Sequence, residues 1–250
     1  MNVHAPIKRS AKFHFYNELN DFLPVEKQNR EFVYTFLGKP SVKDTIQAIG
    51  VPHTEIDIIL MNRESVDFDC LLYGDENIQV FPKYNNLNIQ EMNHLQPNYP
   101  KEKNFIVDVN LGKLAPKLRL LGFDTLYRND FEDHEIVAIS NRENRIILTR
   151  DTGILKYNAV QWGYWVRAIN VRKQISEVVE KFNLKNTIQP FTRCAVCNGL
   201  LHFIPKAMAK NYVPADIYEM VSEFTQCQNC SKIYWQGSHV EKIVAWIADF

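Results

Sequence analysis

The sequence predicts an α/β protein: a parallel sheet wrapped by helices, preceded by a smaller α+β domain and followed by a cysteine-built zinc module. Three observations carry this reading. From residue 104 onward, apolar strand-length runs alternate with helical stretches four times in succession, the pattern of a parallel sheet with crossover helices. Residues 11–81 read β-β-α-β-β. Two C-x2-C pairs follow residue 190, with 29 residues between them.

In the first region "KFHFY" and "EFVYTF" alternate or run apolar like paired strands, joined by a polar link containing proline. "SVKDTIQAIG" is a helix with Ser41 as N-cap, Asp44 at the third position and Gly50 as stop. Its apolar face is Val42, Ile46 and Ile49. "EIDIIL" is the next strand, and "NIQVFP" the last, closed by Pro82. This order resembles a ubiquitin-like β-grasp domain. Carrier members of that superfold end on an exposed Gly-Gly, whereas this last strand runs into "PKYNNLNIQ", so a carrier role is not supported. Residues 82–103 hold three prolines and five asparagines and read as a linker or an extended docking segment.

From 104 the strands are "NFIVDV", "DTLYR", "RIILT" and "YWVRAI". The helices between and after them are "KLAPKLRLLG", "DHEIVAISNREN", a short "DTGILKYNAV" and "RKQISEVVEKF". Leu114, Leu118 and Leu121 share one face of the first helix, and Gly122 stops it. Pro116 is compatible with that helix only in its first turn, where N–H groups are dispensable, so the helix is expected to begin at Lys113 or later, or else to kink near Pro116.

Each C-x2-C pair, Cys194/Cys197 and Cys227/Cys230, fits a tight turn aiming two thiolates at one point. Together they give a tetrahedral S4 site suited to structural zinc, with no open position for catalysis. Two disulfides or a redox C-x-x-C are the alternatives. The doubled motif disfavours the second, and an intracellular setting the first. Cys70, in "FDCLLY", reads as a core thiol.

Open parallel sheets bind ligands beyond the carboxyl ends of their strands. Acids collect there: Asp108 ends the first strand, Asp130, Asp133 and Glu135 follow the second, and Asp151 ends the third. Clustered carboxylates repel one another unless protonated or bridged by a cation, and hard oxygen donors suit Mg²⁺ or Mn²⁺. Such ions activate water for in-line phosphoryl displacement. Any one of these acids can equally be a helix cap. Asp108 and Asp151, each following an apolar strand, are the preferred metal ligands, with Glu135 assisting. Lys113, Arg119 and Arg150 are placed to hold backbone phosphates. The charge layout agrees. Formal net charge is zero, but residues 1–100 carry −4 and residues 101–190 carry +4, so a polyanion is drawn to the middle of the chain.

The segments "FIVDVNLGKLAPKLRLLGFDTLY", "DHEIVAISNRENRIILTRDTGILK", "GYWVRA", "PFTRCAVCNGLL" and "FTQCQNCSKIYWQGSH" resemble the Mut-seven-C RNase domain, a PIN-like nuclease fold followed by a zinc ribbon. The likeness covers roughly residues 104–243. It implies a metal-dependent ribonuclease, with Asp108 and Asp151 on the family's acidic motifs and Glu135 on the acid opening the second helix. It also accommodates a ubiquitin-like domain at the N-terminus. PIN-type sites commonly carry a fourth acid after the fourth strand; here that region reads "RAIN", with Asn170, which implies a thinner metal site. The expected domains are therefore a ubiquitin-like β-grasp domain at 11–81, a linker at 82–103, a PIN-like RNase domain at 104–190 and a zinc ribbon at 191–243.

The expected cofactors are structural zinc and catalytic Mg²⁺ or Mn²⁺, and the expected partners are RNA and a protein bound through the β-grasp domain. A non-catalytic RNA-binding protein and a protein-interaction module on the same fold are the alternatives. A phosphatase is disfavoured because "DVN" lacks a second Asp to act as acid. No apolar run approaches the ~20 residues of a membrane span, and "MNVHAPIKRS" lacks a signal-peptide core, so a cytoplasmic, membrane-free protein is expected.

Overall fold

The computed structural model describes residues 7–83 and 93–235. The expected ribbon end at residue 243 and part of the 82–103 segment lie outside the described residues. In chain order the strands are β1 (Lys8–Phe15), β2 (Phe32–Leu37), β3 (Ile56–Met61), β4 (Glu64–Ser65), β5 (Asn77–Pro82), β6 (Phe105–Val107), β7 (Thr125–Leu126), β8 (Ile146–Thr149), β9 (Gly163–Trp165), β10 (Leu201–Ile204), β11 (Phe224–Cys227) and β12 (Ile233–Trp235). The α-helices are α1 (Val42–Ile49), α2 (Ala115–Leu120), α3 (Asp133–Glu143), α4 (Val171–Lys181), α5 (Lys206–Ala209) and α6 (Ala215–Met220). The chain divides into two compact units: residues 1–99 with 151–165, and residues 100–150 with 166–250.

The first unit contains the expected β-β-α-β-β order, with the two-residue β4 added between β3 and β5. Its sheet runs β2-β1-β5-β3-β4, with β1 and β5 parallel and the other pairs antiparallel. Alternation sets the faces: Ala11, Phe13 and Phe15 of β1 point into a core that also holds Val42 and Ile46 of α1. Ser41 caps α1 by accepting the Asp44 amide at 3.0 Å, as its position before the apolar face predicts. Residues 94–96 of the expected linker are docked along β3. The Leu95 amide donates to the Asp57 carbonyl, the Gln96 amide to Asp57 Oδ1 and the Gln96 side chain to the Ile56 carbonyl.

Residues 151–165 belong to this unit, with Ile154, Leu155 and Val160 buried. The expected helix in "DTGILKYNAV" is only a 3-10 turn at Ile154–Lys156. Gly153 at its start and Asn158 after it are poor helix formers, and the chain turns away into β9. His53, itself buried, donates from Nε2 to the Val160 carbonyl at 3.0 Å. Its burial, reinforced by the Lys43 charge, lowers the imidazole pKa from 6.5 to about 4, against the pull of that carbonyl. The unfolded chain binds this proton at the higher pH and the folded chain at the lower. The stabilisation from keeping His53 neutral is therefore complete above pH 6.5 and is lost as pH falls toward 4. By linkage this is worth about 3 kcal/mol. Melting curves between pH 7 and pH 4 should fall more steeply for the native chain than for His53→Gln, and parallel curves would refute this assignment.

In the second unit β7, β6 and β8 are parallel neighbours, and Val166, on the return of the chain, donates its amide to the Thr149 carbonyl at 2.8 Å. Residues 105–107 and 146–149 are buried throughout, as a sheet covered on both faces requires. Phe105 meets Phe123 and Phe182 edge-on, with centroids 6.1 and 5.6 Å apart. α2 starts at Ala115 with Pro116 in its first turn, the one location that spares the helix ladder. Gly122 ends it at φ +95°, and the Gln189 carbonyl occupies the space a Cβ would fill. Gly122→Ala is expected to lower stability by about 2 kcal/mol or more, combining left-handed strain with displacement of that carbonyl. A denaturant titration checks this; a loss under half that size would show that the 189–191 segment yields freely.

The C-terminal part is the three-stranded antiparallel ribbon β10-β11-β12. The short helices α5 and α6 fill the 29-residue gap between the cysteine pairs. The ribbon's core is small: Ile204, Ala209, Phe224 and Ile233.

Candidate active site and metal centre

Register fixes the first acid. β6 and β8 pair Val107 with Leu148, so the next residues, Asp108 and Thr149, emerge together at the carboxyl edge. Asp108 is only 4% exposed. Its Oδ2 accepts from Thr149 Oγ1 and Asn110 Nδ2, and its Oδ1 from the Val109 amide, each at 2.5 Å. Asn110 ties the two strand ends together, because its Oδ1 accepts the Arg150 amide at 3.2 Å. The result is a carboxylate held rigidly at the end of a buried strand. Neither Thr149 nor Asn110 stands out in the sequence, where one closes an apolar run and the other sits in a loop; only strand pairing brings them to Asp108.

Glu135 lies on the first turn of α3. Its carboxylate closes a capping box by accepting the Glu132 amide at 3.0 Å and pairs with Arg128 at 3.3 Å. The Glu132 amide first, and the Arg128 charge second, hold its pKa below the usual carboxylate range. Asp130 pairs with the same Arg128 at 2.6 Å, so both acids are met by a cation on the surface. Asp151 is exposed and lies in the first unit. Its Oδ1 accepts the Gly153 amide at 2.7 Å, an Asx turn rather than the cap of a full helix. Asn170, the last residue of "RAIN", caps α4 by accepting the Arg172 amide at 2.9 Å. Glu177 of that helix accepts the Arg167 and Ala168 amides.

Of the three cations expected at phosphate, Lys113 is exposed. Arg119 is not available. It is 4% exposed, and it donates from Nε to the Thr125 carbonyl and from Nη1 to the Ala195 and Val196 carbonyls. Those carbonyls belong to the first cysteine turn, so Arg119 braces that turn against the sheet edge. Arg150 donates from Nη1 to the Val166, Arg167 and Ala168 carbonyls, organising the strand end beyond β9.

The four cysteines form a group able to hold a metal such as zinc, with all four sulfurs within 4.8 Å of one another. Cys194 and Cys230 are 3.6 Å apart, and Cys197 and Cys227 3.3 Å. Tetrahedral Zn–S bonds of ~2.3 Å require sulfur pairs at roughly these separations. The local turns support thiolates: the Cys197 amide donates to Cys194 Sγ and the Asn229 amide to Cys227 Sγ. Burial raises the Cys194 pKa, but the Tyr234 hydroxyl and the Cys197 and Val196 amides outweigh it and bring the thiol down to about 6. Among the described residues these cysteines are the one group of three or more His, Cys, Asp or Glu side chains gathered so closely. Asp124 ties this centre to the sheet. Its carboxylate contacts Arg145 at 2.5 Å, Arg193 at 3.1 Å and Asn198 at 2.9 Å.

Compared with known families, residues 103–247 match the model of the Mut7-C RNAse domain, and residues 8–88 match that of Mut7-C ubiquitin. No curated protein and no solved structure matches the chain. No described helix is long and apolar enough to cross a membrane.

Proposed function

Because this chain belongs to the Mut7-C RNAse domain family, we propose that it is a metal-dependent ribonuclease hydrolysing RNA phosphodiester bonds. The supporting observation is Asp108, a buried carboxylate fixed by three short hydrogen bonds at the carboxyl edge of a parallel strand. Its oxygens, with those of Asp151, are the hard donors that suit Mg²⁺ or Mn²⁺. When bound, such an ion lowers the pKa of coordinated water and offsets charge on the phosphoryl oxygens. The protein's own residues do the rest. Thr149 and Asn110 hold the Asp108 carboxylate in one orientation, so little reorganisation is left to the reaction. Glu135 is in reach of Arg128 and serves as the assisting acid of the α3 turn. Lys113 supplies the phosphate contact, while Arg150 shapes the strand ends rather than meeting RNA with Nη1.

The deciding experiment incubates the purified full chain with end-labelled single-stranded RNA, with Mn²⁺ and then with chelator. Metal-dependent shortening of the RNA supports the proposal. RNA that is bound but uncut supports a non-catalytic RNA-binding protein, the reading favoured by the absence of a gathered carboxylate trio among the described residues. The ubiquitin-like domain is the surface for a protein partner in either reading.

A further inference from the structure

The RNase family model spans residues 103–247, yet residues 151–165 are compacted with the N-terminal, ubiquitin-like residues. This segment connects Arg150 to Val166, whose amide binds Thr149. Between those points its regular structure is one 3-10 turn and the three residues of β9. A stretch with so little structure of its own gains order from what it packs on. The N-terminal residues provide attachments along its length. Glu55 Oε1 accepts the Trp165 amide at 2.9 Å. His53 Nε2 donates to the Val160 carbonyl at 3.0 Å. Asn98 offers its carbonyl to Trp162 Nε1 at 3.1 Å, and the Phe22 ring lies 4.7 Å from Trp165. Glu55 and His53 are 5% and 7% exposed. Buried polar groups of this kind are costly unless they are hydrogen-bonded, so the Trp165 and Val160 main chain meets a need of the N-terminal domain as well.

We infer that the ubiquitin-like domain is a clamp for the Asp151–Trp165 segment, with Glu55 and His53 as positioning residues. The clamp stands on the contacts alone; its consequence for cleavage rests on the nuclease reading, in which this segment carries Asp151. A misplaced ligand loses catalysis steeply, whereas RNA affinity depends on cations elsewhere.

The test uses the full chain and its Glu55→Ala and Glu55→Gln variants, with two readouts: hydrogen exchange over residues 151–165 and RNA cleavage with kcat and KM separated. Glu55→Ala removes the acceptor for the Trp165 amide. It is expected to speed exchange in 151–165 by roughly tenfold and to lower kcat by roughly tenfold with KM little changed, while exchange in β8 stays as it was. Glu55→Gln keeps an acceptor oxygen and should restore both. If Glu55→Ala does not fold, His53→Ala, which removes the donor to Val160, carries the same comparison. Unchanged exchange in 151–165 overturns the clamp, and faster exchange with unchanged kcat overturns its positioning role. If the native chain cuts no RNA, the nuclease reading fails and the exchange comparison alone decides the clamp.

Discussion

Replacing Cys227 by serine is expected to empty the metal centre and unfold the C-terminal ribbon. The native chain should carry about one zinc, the stoichiometry of a four-thiolate site. The ribbon's four buried core residues, Ile204, Ala209, Phe224 and Ile233, provide too little apolar burial to stand alone. Small domains of this kind depend on a metal whose binding is worth on the order of 10 kcal/mol. The damage should not stop at the ribbon. Arg119 would keep its place in α2 and its bond to the Thr125 carbonyl but lose the Ala195 and Val196 carbonyls, and a buried guanidinium short of partners is destabilising. Asn198 would leave the Thr125 amide and Asp124. The variant should therefore show metal content near zero and a lowered melt of the sheet as well as of the ribbon. A chelator should do the same to the native chain. A native preparation that is reduced, folded and zinc-free, with an unchanged melt, would refute this.

The parts of this fold that are written locally were legible in the sequence. Ser41 and Asp44 announce α1 because the cap uses residues three apart, and Pro116 places the start of α2 because it forbids an earlier one. The C-x2-C pairs announce their turns for the same reason. What could not be read depends on distant contacts. Arg119 looked like a phosphate contact because a charge on an exposed helix position is indistinguishable from one under a turn 76 residues later. Thr149 and Asn110 acquire their role only when β6 and β8 pair. The docking of residues 151–165 with the N-terminal domain joins Glu55 to Trp165, 110 positions apart, and periodicity carries no information about that. Asp151 poses the sharpest case, because an apolar strand ending on an acid has the same sequence whether the acid caps a turn or binds a cation.

Asp151→Asn and Asp108→Asn separate those roles. Asp151 is exposed, and its bond to the Gly153 amide uses one oxygen that asparagine retains. Its replacement should leave stability within about 0.5 kcal/mol of native. Asp108 differs. Its carboxylate accepts donors at both oxygens, so an amide nitrogen at either position faces an N–H or a donating side chain. Asp108→Asn should lower stability by about 1–3 kcal/mol, the cost of buried groups left unsatisfied. Both changes remove a charge from the proposed cation site, so both should lower Mn²⁺-dependent RNA cleavage by about a hundredfold or more, or roughly 3 kcal/mol of transition-state stabilisation. In the proposed site both carboxylates serve one ion, so the double variant should lose less than the product of the single losses. The measurements are initial cleavage rates on labelled RNA beside a thermal melt of each variant. Native cleavage by Asp151→Asn would reduce that residue to a turn former. A hundredfold loss with an unshifted melt would place Asp151 at the chemistry.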